Sequence, residues 1–214
     1  MRKISILTLF CLTVLTAAVA GEKDDFQFGI RLGAQFSNIK GDVDNGPQFT
    51  SQYAKSLVGP AFGFIFEIPV LEYFEIRPEL NFGSQGQRFK VNDLVYSKWM
   101  GYVQVPILFR GQYGSDKVRG FAHVGPQFGF GTFILDRLRN NDGIQEKHSY
   151  SFSDQKLKPF DAGIAFGAGV EFPSVKGMEV EARYYAGLAN INDYGVSGLK
   201  TRNNSLHLTV SFKF

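Results

Sequence analysis

The last ten residues constrain this chain most. Ser205 to Phe214 read Ser-Leu-His-Leu-Thr-Val-Ser-Phe-Lys-Phe. Leu206, Leu208, Val210, Phe212 and Phe214 are apolar, and Ser205, His207, Thr209, Ser211 and Lys213 between them are polar. Strict alternation is the period of a strand with one oily and one wet face. The strand runs to the final residue, a phenylalanine. A soluble sandwich rarely ends on an exposed Phe. A closed barrel explains it, because the last strand pairs with the first and no sheet edge remains. Ser205–Phe214 is therefore expected to close a barrel of seven further strands.

The start of the chain has a different logic. Arg2 and Lys3 precede an uncharged, mostly apolar run from Ile4 to Leu15, and Ala18-Val19-Ala20 stands before Gly21. That order describes a secretory signal peptide over residues 1–20, cleaved between Ala20 and Gly21, with Ala18 and Ala20 as the small residues of the site. The run is too short for a spanning helix. The single cysteine, Cys11, lies inside it behind bulky Phe10, so neither a lipid anchor nor disulfide chemistry is expected. Setting aside Arg2 and Lys3 leaves 21 basic residues against 20 acidic, a net charge of +1. Nothing there marks a nucleic-acid binder.

Alternating segments recur through residues 21–214, which read as one domain. Phe26 to Phe36 alternate with Gln27 to Ser37. Similar runs lie near 57–68, 74–83, 98–110, 118–131, 158–172 and 178–188. With the closing run they make eight strands. The segments between them alternate in length, with long loops at 39–56, 90–97, 132–157 and 190–203 and short turns at 69–73, 111–117 and 173–177. Long loops on one side and short turns on the other are the asymmetry of a transmembrane barrel. Both termini fall on the short-turn side, which implies periplasmic ends. Pro60, Pro78, Pro106 and Pro126 lie inside expected strands, where each removes a ladder donor, so bulges or irregular pairing are expected there.

Volume decides which face is inside. The apolar face carries large side chains on every strand, drawn partly from 22 phenylalanines, whereas the other face is rich in the 24 glycines and in charge. Eight strands leave an interior barely wide enough for side chains. The oily face must point out, to lipid. A soluble eight-stranded barrel would need it inside. The fold class is an all-β, eight-stranded antiparallel up-and-down transmembrane β-barrel.

Six segments resemble one family. They are Phe28-Gly-Ile-Arg-Leu-Gly-Ala-Gln-Phe-Ser-Asn38, Arg77-Pro-Glu-Leu80, Tyr102-Val-Gln-Val-Pro106, Gly125-Pro126, Phe166-Gly-Ala-Gly-Val-Glu171 and Glu181-Ala-Arg-Tyr-Tyr-Ala-Gly187. In order and spacing they are similar to the PorT-like outer-membrane β-barrel domain proteins of Gram-negative bacteria. The resemblance spans the mature chain and implies an integral outer-membrane protein that meets the barrel-assembly machinery during insertion. Its named member is tied to protein secretion. Most relatives have no assigned role, and the secretion role is not carried over.

The inward face supplies the candidate site. Glu67, Glu75, Glu79, Asp161, Glu171, Glu179 and Glu181 oppose Arg31, Arg77, Arg110, Arg119, Arg183 and Lys213. Buried charges must pair, so these should form a self-neutralising plug. Its expected centre is Arg31, Glu67, Arg77, Glu79, Arg110, Asp161, Glu181 and Arg183. Arg77 and Glu79 of the third strand and Glu181 and Arg183 of the seventh should lie at similar depth. His123, His148 and His207 have no metal-ligand spacing. Ser205 and His207 share the inward face, but neither faces lipid, so no enzyme is expected. No cofactor is expected either. Tyr73, Phe74, Phe172, Phe212 and Phe214 near the short turns, and Trp99, Phe36 and Phe130 near the loops, fit interfacial girdles. The expected role is structural, or binding of a protein or surface ligand through the loops. The alternatives are a small pore, an accessory part of a secretion system, and a lipid-modifying barrel enzyme.

Overall fold

The computed structural model describes residues 27–41, 54–140, 143–193 and 200–214. The expected signal peptide, its cleavage site and the centre of the first loop lie outside them. Among the described residues nine strands form: β1 Gln27–Gly41, β2 Ala54–Leu71, β3 Phe74–Val91, β4 Leu94–Gly114, β5 Arg119–Asn140, β6 Gly143–Tyr150, β7 Phe160–Phe172, β8 Met178–Gly187 and β9 Thr201–Lys213. All pairings are antiparallel. Eight of the nine close a ring, in the order β1–β2–β3–β4–β5–β7–β8–β9 and back to β1. β6 stands outside the ring and pairs with the far end of β5.

Alternation produces this architecture directly. Along β9, His207, Thr209 and Ser211 are buried while Leu206, Leu208, Val210 and Phe212 are exposed. The exposed apolar row continues round the ring through Leu32, Phe62, Phe82, Phe109, Val124, Phe166 and Val180. A barrel in water would bury these residues. This one turns them outward, as lipid requires. Leu57 and Ile65 interrupt the pattern of β2 because they face inward, and both are fully buried.

Closure is made as expected. β9 pairs with β1 from Gly29↔Lys213 to Gly41↔Thr201. The Phe214 amide donates to the Phe28 carbonyl at 2.7 Å, so the seam holds to the last residue. Small residues let the strands approach inside. A Cβ on Gly167 would lie 2.6 Å from the Ala182 carbonyl oxygen and 2.8 Å from His123 Nε2, closer than any side chain tolerates.

Two expected loops are largely strand. β3 and β4 continue past the apolar belt and turn at Asn92–Asp93, where Asn92 has a φ of 53°. Residues 90–97 are thus a tight hairpin, and Asn tolerates the left-handed conformation it needs. The 132–157 segment holds the end of β5, all of β6 and a turn-rich stretch before β7. β5 carries an irregularity here. Tyr102 pairs with Gly131, while Gly101 pairs with Phe133, leaving Thr132 as an extra residue whose hydroxyl donates to the Gly101 carbonyl at 3.1 Å. A bulge of this kind switches which alternate residues face out. The short connections fall at 72–73, 115–118 and 173–177.

The four prolines sit at or beside breaks in ladders. β2–β3 pairing lapses between Ser56 and Phe62, around Pro60. The β3–β4 ladder skips from Pro78↔Ile107 to Asn81↔Gln104, and β4–β5 skips from Pro106↔Gln127 to Phe109↔Val124, past Pro126. Missing donors are accommodated where ladder bonds are already absent.

Candidate functional site: the charged lumen

Inward-facing charges meet in the short-turn half of the lumen. Arg110 Nη1 lies 2.8 Å from Glu67 Oε1 and 2.6 Å from Glu75 Oε1, and its Nη2 lies 2.8 Å from both Glu171 Oε2 and Glu179 Oε1. Lys213 Nζ joins Glu67 at 2.9 Å and Glu171 at 2.8 Å. A second tier lies further along the strands. Arg183 spans Glu79 with contacts of 2.6 and 2.8 Å and reaches Glu181 at 2.6 Å. Arg31 bonds Glu79 at 2.7 Å and Thr209 Oγ1 at 2.9 Å. Arg77 links the tiers, with Nη1 2.8 Å from Glu179 and Nε 3.0 Å from Glu79. Every member is buried.

Arg31, Glu67, Arg77, Glu79, Arg110, Glu181 and Arg183 are therefore brought together. Asp161 is not. It accepts a hydrogen bond from Asn203 Nδ2 at 2.9 Å, beside Tyr102 and away from the ion pairs. Alternation assigns a face but not a height. Asp161 lies ten residues from Glu171 on β7, about 33 Å along a strand. Arg119 also departs from expectation, since it pairs with exposed Asp116 in the β4–β5 turn at 3.2 Å. Glu75, Glu171, Glu179 and Lys213 read in the sequence only as inward charges, yet each is an ion-pair member. Phe121 is a further inward residue, and its alternation with His123 is the signal that marks it. Its ring lies 4.0 Å beneath the Arg110 guanidinium, a cation–π contact.

The hairpin end of the lumen is closed differently. Met100, Tyr102, Ile134, Phe152 and Ile191 form a buried apolar cluster. Phe152 and Ile191 come from the connections after β6 and β8, so the loops themselves fold over the mouth. A turn holds Phe152 in place: the Ser151 amide donates to Asp154 Oδ2 at 3.0 Å. That bond, with the Ser151 hydroxyl, holds the Asp154 carboxyl below the ordinary aspartate range.

The histidines serve no common centre. His207 Nε2 lies 2.9 Å from Ser205 Oγ, which also accepts from Gln85 Nε2 at 3.2 Å. This Ser–His pair is buried in the lumen, away from lipid. His123 Nε2 stands 3.8 Å from Glu181, and His148 is exposed on β6. Among the described residues no group of His, Cys, Asp and Glu side chains has metal-holding geometry.

An inward network of charge, an outward apolar belt and a seam between first and last strands describe a membrane barrel. The profile of the outer membrane protein beta-barrel domain family matches residues 20–193. The chain belongs to that family. It is an integral outer-membrane protein, in contact with lipid through its outer face. A comparison with curated proteins finds no match. Among solved structures it is similar to Ail, the attachment invasion locus protein of Yersinia pestis, at 13% identity and a TM-score of 0.44, covering 89% of this chain and 99% of Ail. It is similar to OprG from Pseudomonas aeruginosa at 12% identity and a TM-score of 0.47, covering 88% and 95%. The outer membrane enzyme PagL matches at 12% identity and a TM-score of 0.46, over 87% and 98%. These likenesses concern the fold.

Proposed function

We propose that this barrel is a closed scaffold that acts structurally or through its hairpin end, as a binding protein for a protein or surface ligand. The lumen network supports this reading. Arg31, Arg77, Arg110, Arg183 and Lys213 fill the bore together with six glutamates, and each cation lies within ion-pair distance of at least two carboxylates. Ions crossing such a bore would have to break these pairs. The apolar cluster around Phe152 adds a second barrier at the other mouth.

In this reading the signal peptide is removed after Ala20, the termini face the periplasm and the hairpins face outward. Insertion passes through the barrel-assembly machinery, with the row Leu206 to Phe214 as its recognition element. The affiliation within the family is PorT-like, on the six segments that resemble those proteins. Planar-bilayer recording of the purified protein tests the closed scaffold. Silent bilayers are expected, and stable, reproducible open channels would replace the scaffold with a pore.

A further inference from the structure

The outer wall has its own site, apart from the lumen. Because Thr132 is bulged out, odd-numbered residues of β5 face outward beyond it. Register then aligns Arg88, Ser97 and Arg137 in one row across β3, β4 and β5, and Lys90, Val95 and Arg139 in the next. Four cations thus share one patch of the outer face, where they line a cleft of about 390 Å³ with Asp93 at its edge. Strands stand about 4.8 Å apart, so Arg88 and Arg137 flank Ser97 with Cα atoms roughly 10 Å from one another. Among the described residues none of the four pairs with a carboxylate. The nearby acid Asp136 lies on the other face, 3.6 Å from Lys98.

Directly below, towards the apolar belt, the wall is grooved. Phe62, Phe82, Phe133 and Trp99 line an apolar cleft of about 560 Å³ with Gly101. The Phe133 ring lies where a Gly101 side chain would be, so the glycine gives the groove its depth. Trp99 lines both clefts, and the Arg137 guanidinium stands 5.7 Å from its ring. From Gly101 up to Ser97 the strand climbs about 13 Å. That rise carries the wall from hydrocarbon, past an interfacial tryptophan, into the headgroup layer.

We propose that this face of β3–β5 binds a phosphate-bearing lipid of the adjoining leaflet, one acyl chain in the aromatic groove and the phosphate between Arg88 and Arg137. Charge complementarity favours this occupant. The face already contacts bilayer, so a ligand there brings its own apolar tail, and guanidinium groups that no described carboxylate pairs, above the groove, select a phosphate by paired N–H donors. The site needs no particular sidedness, because it follows the hairpin end into whichever leaflet that end occupies.

Trp99 is the only tryptophan, which supplies the assay. The full-length folded protein in nonionic detergent micelles is titrated with diphosphoryl lipid A while Trp99 emission is followed. A saturable spectral change is expected, weakening as salt rises. The dephosphorylated lipid A with the same acyl chains should bind far less, and inorganic phosphate alone should neither reproduce nor compete away the change. Arg88→Gln combined with Arg137→Gln should bind about 30-fold more weakly, the loss for two cations facing anionic headgroups, while retaining the heat-shifted gel migration of a folded barrel. Equal binding of the dephosphorylated lipid would reduce the site to non-specific apolar contact and overturn the proposal. A matching response to inorganic phosphate would make it a soluble-anion site and also overturn it. Both lipid comparisons use the unmodified chain, so they decide the matter even where the double variant does not fold.

Discussion

Replacing Arg183 with alanine probes the lumen network where one guanidinium spans two carboxylates. The guanidinium meets both oxygens of Glu79 at 2.6 and 2.8 Å and Glu181 at 2.6 Å. The network holds five cations, Arg31, Arg77, Arg110, Arg183 and Lys213, against six glutamates. Arg183→Ala leaves four against six, and Glu79 and Glu181 must share Arg31 and Arg77. Removing one partner of a buried pair costs about 3–5 kcal/mol. Glu75→Gln is the contrasting case. Among the described residues Glu75 pairs only with Arg110, which keeps Glu67, Glu171 and Glu179, and the change brings the count to five against five. Its cost should be about 1 kcal/mol, the worth of one hydrogen bond. Arg183→Lys should fall between, keeping the charge but losing the two-pronged contact. Urea unfolding in detergent micelles, followed by Trp99 emission, gives the three free energies from the midpoints and slopes. Equal losses for Arg183→Ala and Glu75→Gln, or an unchanged midpoint for Arg183→Ala, would refute the ion-pair reasoning.

Two further outcomes are expected. Deleting Phe214 removes the 2.7 Å bond to the Phe28 carbonyl and the last exposed apolar residue of the chain, so the heat-shifted folded fraction in membranes should fall; wild-type levels would show that the terminal residue is ordinary surface. The Asp154 carboxyl, depressed by the Ser151 amide, contributes to the turn above the ordinary aspartate range and loses that contribution as pH falls through its lowered value. Carboxylate NMR should place its midpoint below that of a free aspartate, and a midpoint at or above it would show that the turn does not hold.

The ring is legible in the sequence because lipid on one side and a crowded bore on the other enforce alternation on each of its eight strands. Beyond the belt that contrast disappears. Arg88, Lys90, Arg137 and Arg139 face out where Phe62 and Phe82 do lower down, so the strand extensions at 90–97 and 132–157 read as loop. Thr132 compounds this, because one extra residue shifts the period and breaks the pattern at the point where β5 becomes a hairpin arm. In the lumen, alternation identifies the inward charges and leaves their heights open. For that reason the pattern groups Asp161 with residues it does not approach, and gives no partner to Lys213, which the fold sets among Glu67, Glu171 and Glu179. The cationic outer patch needs register across three strands, which a linear sequence does not display.

The seam between β1 and β9 also bears on how the barrel comes to exist. It joins Gly29 to Lys213, nearly the full length of the chain, so closure is the contact with the largest loop to organise. The ion network crosses that seam. Arg31 of β1 reaches Glu181 of β8, and Lys213 of β9 reaches Glu67 of β2. An open sheet would deny Glu181 its Arg31 contact and Glu67 its Lys213 contact, leaving Glu181 to Arg183 of its own strand and Glu67 to Arg77 and Arg110. Closure therefore adds the last cation contacts of the network as it completes the wall, because Arg31 and Lys213 meet their seam-crossing carboxylates only when first and last strands pair. A chain stalled before β9 lacks Lys213 and sets four network cations against six glutamates, where the closed ring sets five.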